Sequence, residues 1–403
     1  MATIPTRHPD RPHRTPAVVG GFAALLGVRP PDRDQWRHLG EGLLIGDAAM
    51  DDLVDWMVRT GTAQTRPLFD RALTHGIAAV PEAPEPLRAF FTEVETVPDW
   101  VDHETLTRAA KVLLCSGADG MYIARDVAML GGYQFSGFNK TLLRTGALEK
   151  GSNQRWAETM RWAMDVVAPD ALAPSGLGHR STIRVRLIHA FVRRHVAAMP
   201  DWRTEDWGLP INQTDMAATL VGAFIAPAVG GLGMGLLLRP AEADAVAHLV
   251  RYVGWLLGVE EQWLPRSFRD GVRVLVHTLS ALADPDESTT ALAVPMSRDP
   301  LSWNFERFPA LRRRLAYAQH LSVTGTFLGR RTMRALGLPT VVVPWYPALR
   351  IPTNTMRSAT RQLPGGLDRA ARRGAREQER FMRTVVETGP TIGGAAARLT
   401  DAA

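Results

Sequence analysis

The chain has 403 residues, 45% of them hydrophobic and 22% charged, which is enough apolar side chain for a large core and unlike a disordered or collagenous chain. Lysine and arginine total 47 against 41 acids, for a net charge of +6, but the basic residues are scattered and usually interleaved with acids, which argues against a nucleic-acid groove. Cys115 is the only cysteine, so an intramolecular disulfide and a cysteine-cluster metal site are both excluded.

Residues 1–30 begin with Arg7, Arg11 and Arg14 ahead of an apolar run from Ala17, a weak imitation of an export signal. Four prolines crowd its basic part, there is no twin arginine, and no small-x-small site precedes Pro30. The expectation is a disordered leader on a cytoplasmic protein, with an all-α domain over 31–390 and a flexible tail over 391–403. Apolar residues recur at three- and four-residue spacing over 36–44, 50–58, 66–75 and 87–94, and then in a long stretch from His103, as amphipathic helices require. Asp47 is placed to cap the second of these, and Gly61 to end it. Gly131-Gly132 predicts a break, and a helix follows over 140–148.

Two further helices carry the chemistry. On the first, Arg155, Glu158, Thr159 and Trp162 fall at i, i+3, i+4 and i+7 and share a face. A cation, an acid, a hydroxyl and an indole make an odd core stripe. On the second, His189 is surrounded by Val185, Leu187, Ile188, Ala190, Phe191 and Val192. A lone imidazole in apolar surroundings suits one side of a haem pocket; the bland alternative is a core histidine bonded to a neighbour. Arg186 and Arg193, at i−3 and i+4 from His189, are candidates for the propionates, with surface arginines as the alternative. His179, in a Pro- and Gly-rich connector, is the rival metal ligand.

Residues 216–238 carry no charge for 23 positions, long enough to span a bilayer. Pro227 and five glycines argue instead for two buried helices broken near the proline. Helices follow over 241–257 and 267–282, a loop over 285–297, helices over 305–322 and 329–336, and a Pro-rich bend over 339–352. A basic helix over 367–387 ends the pattern. The only strand-like run, 340–343, is too isolated to build a sheet, so the fold expected is all-α, a single large bundle enclosing a haem pocket. No nucleotide-binding glycine loop, HExxH or GxSxG is present.

Taken in order, Gly46-Asp47-Ala-Ala-Met-Asp51, Tyr133 and Gly137, Arg155-x-x-Glu158-Thr159, Arg186-x-x-His189-x-x-x-Arg193, Asn212-Gln-Thr-Asp215 and Arg251-Tyr-Val-Gly-Trp-Leu-Leu-Gly258 resemble the latex clearing protein and MpaB-type haem oxygenase family. The resemblance covers roughly residues 40–350 and implies haem b in an all-α bundle, with His189 as the iron ligand and Arg155 and Thr159 on the opposite side. Latex clearing proteins carry a lysine where this chain has Glu158. The implied reaction is O2-dependent cleavage or oxygenation of a C=C bond in an apolar lipid or terpenoid. Met216–Leu238, Phe135 and Phe138 are candidates for the channel walls. Two other readings stay open: a peroxidase or peroxygenase with Glu158 as the acid–base group, and a non-enzymatic haem-binding sensor.

Overall fold

The structure is a computed structural model that describes residues 3–146 and 151–386. Among the described residues every regular element is helical and none is a strand. The first third holds α1 (Ala17–Leu25), α2 (Arg33–Glu41), α3 (Ala48–Thr60), α4 (Thr62–His75), α5 (Glu85–Glu95) and α6 (His103–Leu114). Next, α7 (Gly117–Ile123) passes through a π-helical stretch, Ala124–Met129, into the short α8 (Leu130–Gly132). The middle comprises α9 (Ser136–Arg144), α10 (Ser152–Val166), α11 (Leu177–Ala197), α12 (Thr204–Trp207), α13 (Gln213–Leu232) and α14 (Pro240–Leu256). The chain closes with α15 (Phe268–Ala281), α16 (Glu287–Arg298), α17 (Pro309–Ala335), α18 (Trp345–Thr360) and α19 (Gly366–Val385).

Short polar side chains start many of these helices by accepting from otherwise unpaired N–H groups. Asp47, Asp102, Asn212, Ser267 and Asp286 do this for α3, α6, α13, α15 and α16. The apolar faces gather into two main clusters. The larger joins α3–α6 to α11 and α13–α15. The second packs Tyr122, Trp156, Trp303 and Phe381 ring against ring. Helix α10 belongs to both, through Trp162 and Val166 on one side and Trp156 and Ala157 on the other. It is therefore held along its whole length, and its polar face has a fixed orientation.

Several expectations are corrected. Residues expected to form a disordered leader pack onto the bundle: Arg7 pairs with buried Asp215 at 2.6 Å, His8 lies on Trp36, and Phe22 of α1 meets Phe268 of α15. Pro9, Pro12 and Pro16 exclude helix but not an extended docking strap. The run around Pro227 is one helix, α13, not two. Burial on both sides of the proline outweighs the backbone hydrogen bond it removes. Among the described residues α13 is the one helix long and apolar enough to cross a membrane, and its apolar window is 61% buried. The loop expected over 285–297 is α16, started by a capping box at Asp286, and the bend over 339–352 becomes α18 from Trp345 onward. The end of the helix expected over 140–148 and the tail over 391–403 lie outside the described residues.

Candidate functional site

Helix α11 is fixed by two buried ion pairs. Asp47 takes Arg186 in a two-pronged bond, 2.7 Å to Nε and 2.8 Å to Nη2. Asp51 takes Arg193 at 2.6–2.9 Å, and the Ile211 carbonyl accepts from its Nη1 at 2.8 Å. Both guanidiniums, read from the sequence as propionate candidates, are thus bonded to carboxylates at the start of α3, partners that sequence spacing does not reveal. A glycine covers each pair. A Cβ at Gly258, whose φ is +80°, would stand 2.3 Å from Asp47 Oδ2 and 2.7 Å from Arg186 Nε. One at Gly46 would stand 2.6 Å from Asp51 Oδ2. Gln213 ties the two glycines together, donating to the Gly46 and Gly258 carbonyls at 2.8 and 2.9 Å. The sequence pieces Gly46-Asp47, Asp51, Gln213 and Gly258 thus form one clamp on α11.

Helices α10 and α11 run antiparallel and touch through Trp162, whose indole N–H donates to Thr182 Oγ1 at 3.0 Å. Trp162 shares a face with Arg155, and Thr182 shares a face with His189, each seven residues away. Seven residues is about 10 Å of helix, so Arg155 and His189 stand level with each other two turns above that contact. Arg155, Val185, Ile188 and His189 are half-buried and Thr159 is exposed. Helix α13 meets α10 at Trp162, where Phe224 packs edge-on at 5.7 Å. Thr219, Gly222, Ala223 and Ala226 form a partly exposed face of small residues on α13, and a Cβ at Gly222 would meet nothing within 4 Å.

On α11, His189 Nδ1 is shut off from solvent and has no hydrogen-bond partner. Burial, and then the Arg193 charge, depress its pKa to about 4, so the ring is neutral at pH 7, the form that ligates metals. Arg155 Nη2 donates to Tyr133 Oη at 3.1 Å, with the guanidinium over the Tyr133 ring. Thr159 Oγ1 donates to the Arg155 carbonyl at 3.1 Å. Gln154 donates to Glu158 Oε1 at 3.4 Å. Helical pitch puts Arg155, Glu158 and Thr159 on the face of α10 that carries Trp162. His179 is elsewhere, with its Nε2 3.0 Å from the Val94 carbonyl.

Among the described residues no group of three or more His, Cys, Asp or Glu could hold a metal ion. A neutral imidazole with an unpartnered ring nitrogen is the ligand that a metal carrying its own macrocycle would take, so His189 fits a haem. A cavity of about 120 Å³ lies between α10 and α13, lined by Met160, Ala163, Met164, Ala223, Phe224 and Pro227 among others. The expectation that Met216–Leu238 supplies channel walls agrees with this cavity; Phe135 and Phe138 do not line it.

Sequence reasoning missed the buried network at the start of α10. Fully buried Arg125, on the π-helical stretch, bonds Asp126 at 2.7 Å and Asp299 at 3.1 Å. His320 Nδ1 lies 2.8 Å from the same Asp126 oxygen, and Asp299 accepts from Ser152 Oγ at 2.8 Å. Ser152 opens α10 three residues before Arg155. An Arg-Asp pair inside the apolar run after Gly120 was the available signal.

Helices packed on helices throughout the described residues, with a neutral, unpartnered histidine on one of them, define an all-α protein. The family model described as "ER-bound oxygenase mpaB/B'/Rubber oxygenase, catalytic domain" matches residues 121–362, and the chain belongs to that family. A rubber oxygenase from Streptomyces sp. (strain K30) is 25% identical over 205 residues, which is 49% of this chain and 48% of that protein; the chain spans about half the length of this curated relative. A solved structure of latex clearing protein LCP in the closed state shares the fold, with a TM-score of 0.60, 20% identity, and coverage of 83% of this chain and 91% of that one.

Proposed function

We propose that this protein is a haem b-dependent oxygenase that uses O2 to cleave or oxygenate a C=C bond of an unsaturated lipid or terpenoid. One observation supports the reading: the buried Nδ1 of a neutral His189 has no partner, on a helix packed against the one that carries Arg155. Bound there, a haem supplies the binding and activation of dioxygen, which distal polarity tunes. His189 offers its lone pair without first losing a proton. Arg155, steadied by Tyr133, places a fixed positive charge where negative charge develops on a reacting oxygen. Thr159 spends its proton on the Arg155 carbonyl, which leaves its oxygen lone pairs able to accept. Glu158, where latex clearing proteins carry lysine, adds a carboxyl that can hold or move a proton. An olefin has no charge to recognise, so the apolar cavity beside Ala163 and Ala223 orients it by shape and excludes water.

The test is an absorption spectrum of the purified protein as isolated, reduced and with CO, followed by product analysis with an isoprenoid olefin. The expected result is a Soret band that His189→Ala abolishes, and carbonyl products formed with O2 alone. No Soret band after haem supplementation overturns the haem reading. A strict requirement for peroxide overturns the choice of oxidant.

A further inference from the structure

Residues 307–367 contain ten arginines and no aspartate or glutamate, whereas the whole chain nets only +6. Everything outside this segment is therefore net acidic, and the interleaving of charges seen elsewhere stops here. Three of the ten pair inward: Arg350 with Asp119, Arg357 with Glu377, and Arg361 with Glu242. Arg307, Arg314, Arg330, Arg331 and Arg334 are exposed and have no carboxylate partner among the described residues.

The same segment holds most of the large apolar side chains that the fold leaves in water. On α17 the first exposed stripe is Phe308, 75% exposed, with Leu311 and Leu315 at i+3 and i+7. On α18 Leu349 and Met356 are exposed at seven-residue spacing, and Leu363 continues the register just past the helix. The link between the two helices is extended and alternates. Val342 lies over Gly325 of α17, while Val341, 81% exposed, and Val343 face out. Ser322 pins the link by donating to the Val343 carbonyl at 2.9 Å and accepting from Tyr346 N at 3.1 Å. The link is thus pinned to α17 rather than loose, and the exposed residues of α17 and α18 are carried on helices.

We infer that this α17–α18 surface docks on an anionic lipid surface, the exposed apolar side chains entering the acyl boundary and the unpaired arginines taking the headgroup phosphates. Charge decides the occupant. Isologous contact with a second copy would set arginines without acids against one another, whereas an anionic interface attracts both components of the patch. Single exposed apolar residues are ordinary, but this many together mark an interaction surface. The inference does not depend on haem or on turnover.

The experiment is flotation of the full chain with phosphatidylcholine vesicles, with and without phosphatidylglycerol, at low and raised salt. The protein is expected to float with phosphatidylglycerol vesicles and to be released by salt. Arg314→Ala and Arg331→Ala should each weaken partitioning about fivefold. The pair Leu311→Ser and Met356→Ser should abolish it while leaving the circular dichroism spectrum and melting unchanged. Absence of flotation with both vesicle types, or flotation indifferent to salt and to the arginine variants, overturns the inference. So does a dimer in light scattering that the two serine substitutions convert to monomer, since the patch then belongs to a second copy.

Discussion

The clamp on α11 makes a quantitative prediction. Asp47→Ala removes both oxygens that hold the buried Arg186 guanidinium at 2.7 and 2.8 Å, and one cap of α3. Breaking a buried pair from one side strands a charge and costs about 3–5 kcal/mol, and losing the cap costs about 1 kcal/mol more. Gly258 sits so close above the pair that little space exists for water to replace the carboxylate. Asp47→Ala with Arg186→Met removes both charges, and the double variant should return to within about 2 kcal/mol of the parent. Urea unfolding followed by far-ultraviolet circular dichroism gives the four corners of the cycle. If the two single costs simply add, or if Asp47→Ala costs below about 1 kcal/mol, the pair does not restrain α11 and the clamp is wrong.

Two further outcomes follow from α13 and from α10. Gly222→Leu enters open space and should raise the stability of the protein by about 1 kcal/mol through helix propensity; melting curves read the gain, and a loss would refute it. Burial raises the Asp165 pKa to about 6, so between the unfolded value of 3.8 and 6 the folded state binds more protons and stability falls as pH rises. Asp165→Asn should remove that slope and stabilise the protein at pH 7.5 by on the order of 1–2 kcal/mol, with no gain at pH 3.5; an equal gain at both pH values would refute the linkage.

Local order is where the sequence spoke most clearly. Apolar spacing at three and four residues, the caps at Asp47 and Asn212, and the lack of paired strand patterns suffice for an all-α fold. The shared face of Arg155, Glu158 and Thr159 is a property of helical pitch alone, and so is the apolar setting of His189. What pitch cannot supply is the partner across a helix boundary. Arg186 and Arg193 read as free cations until folding brings Asp47 and Asp51 from some 140 residues away. The strap before Pro30 reads as disordered because its contacts, Asp215 for Arg7 and Trp36 for His8, lie on other elements. Only tertiary packing decided how α10 and α11 meet at Trp162 and Thr182, since the separation of two helices depends on the volumes between them rather than on either sequence. It likewise left apolar side chains of the acid-free segment 307–367 exposed, because exposure is decided by what the rest of the chain leaves uncovered.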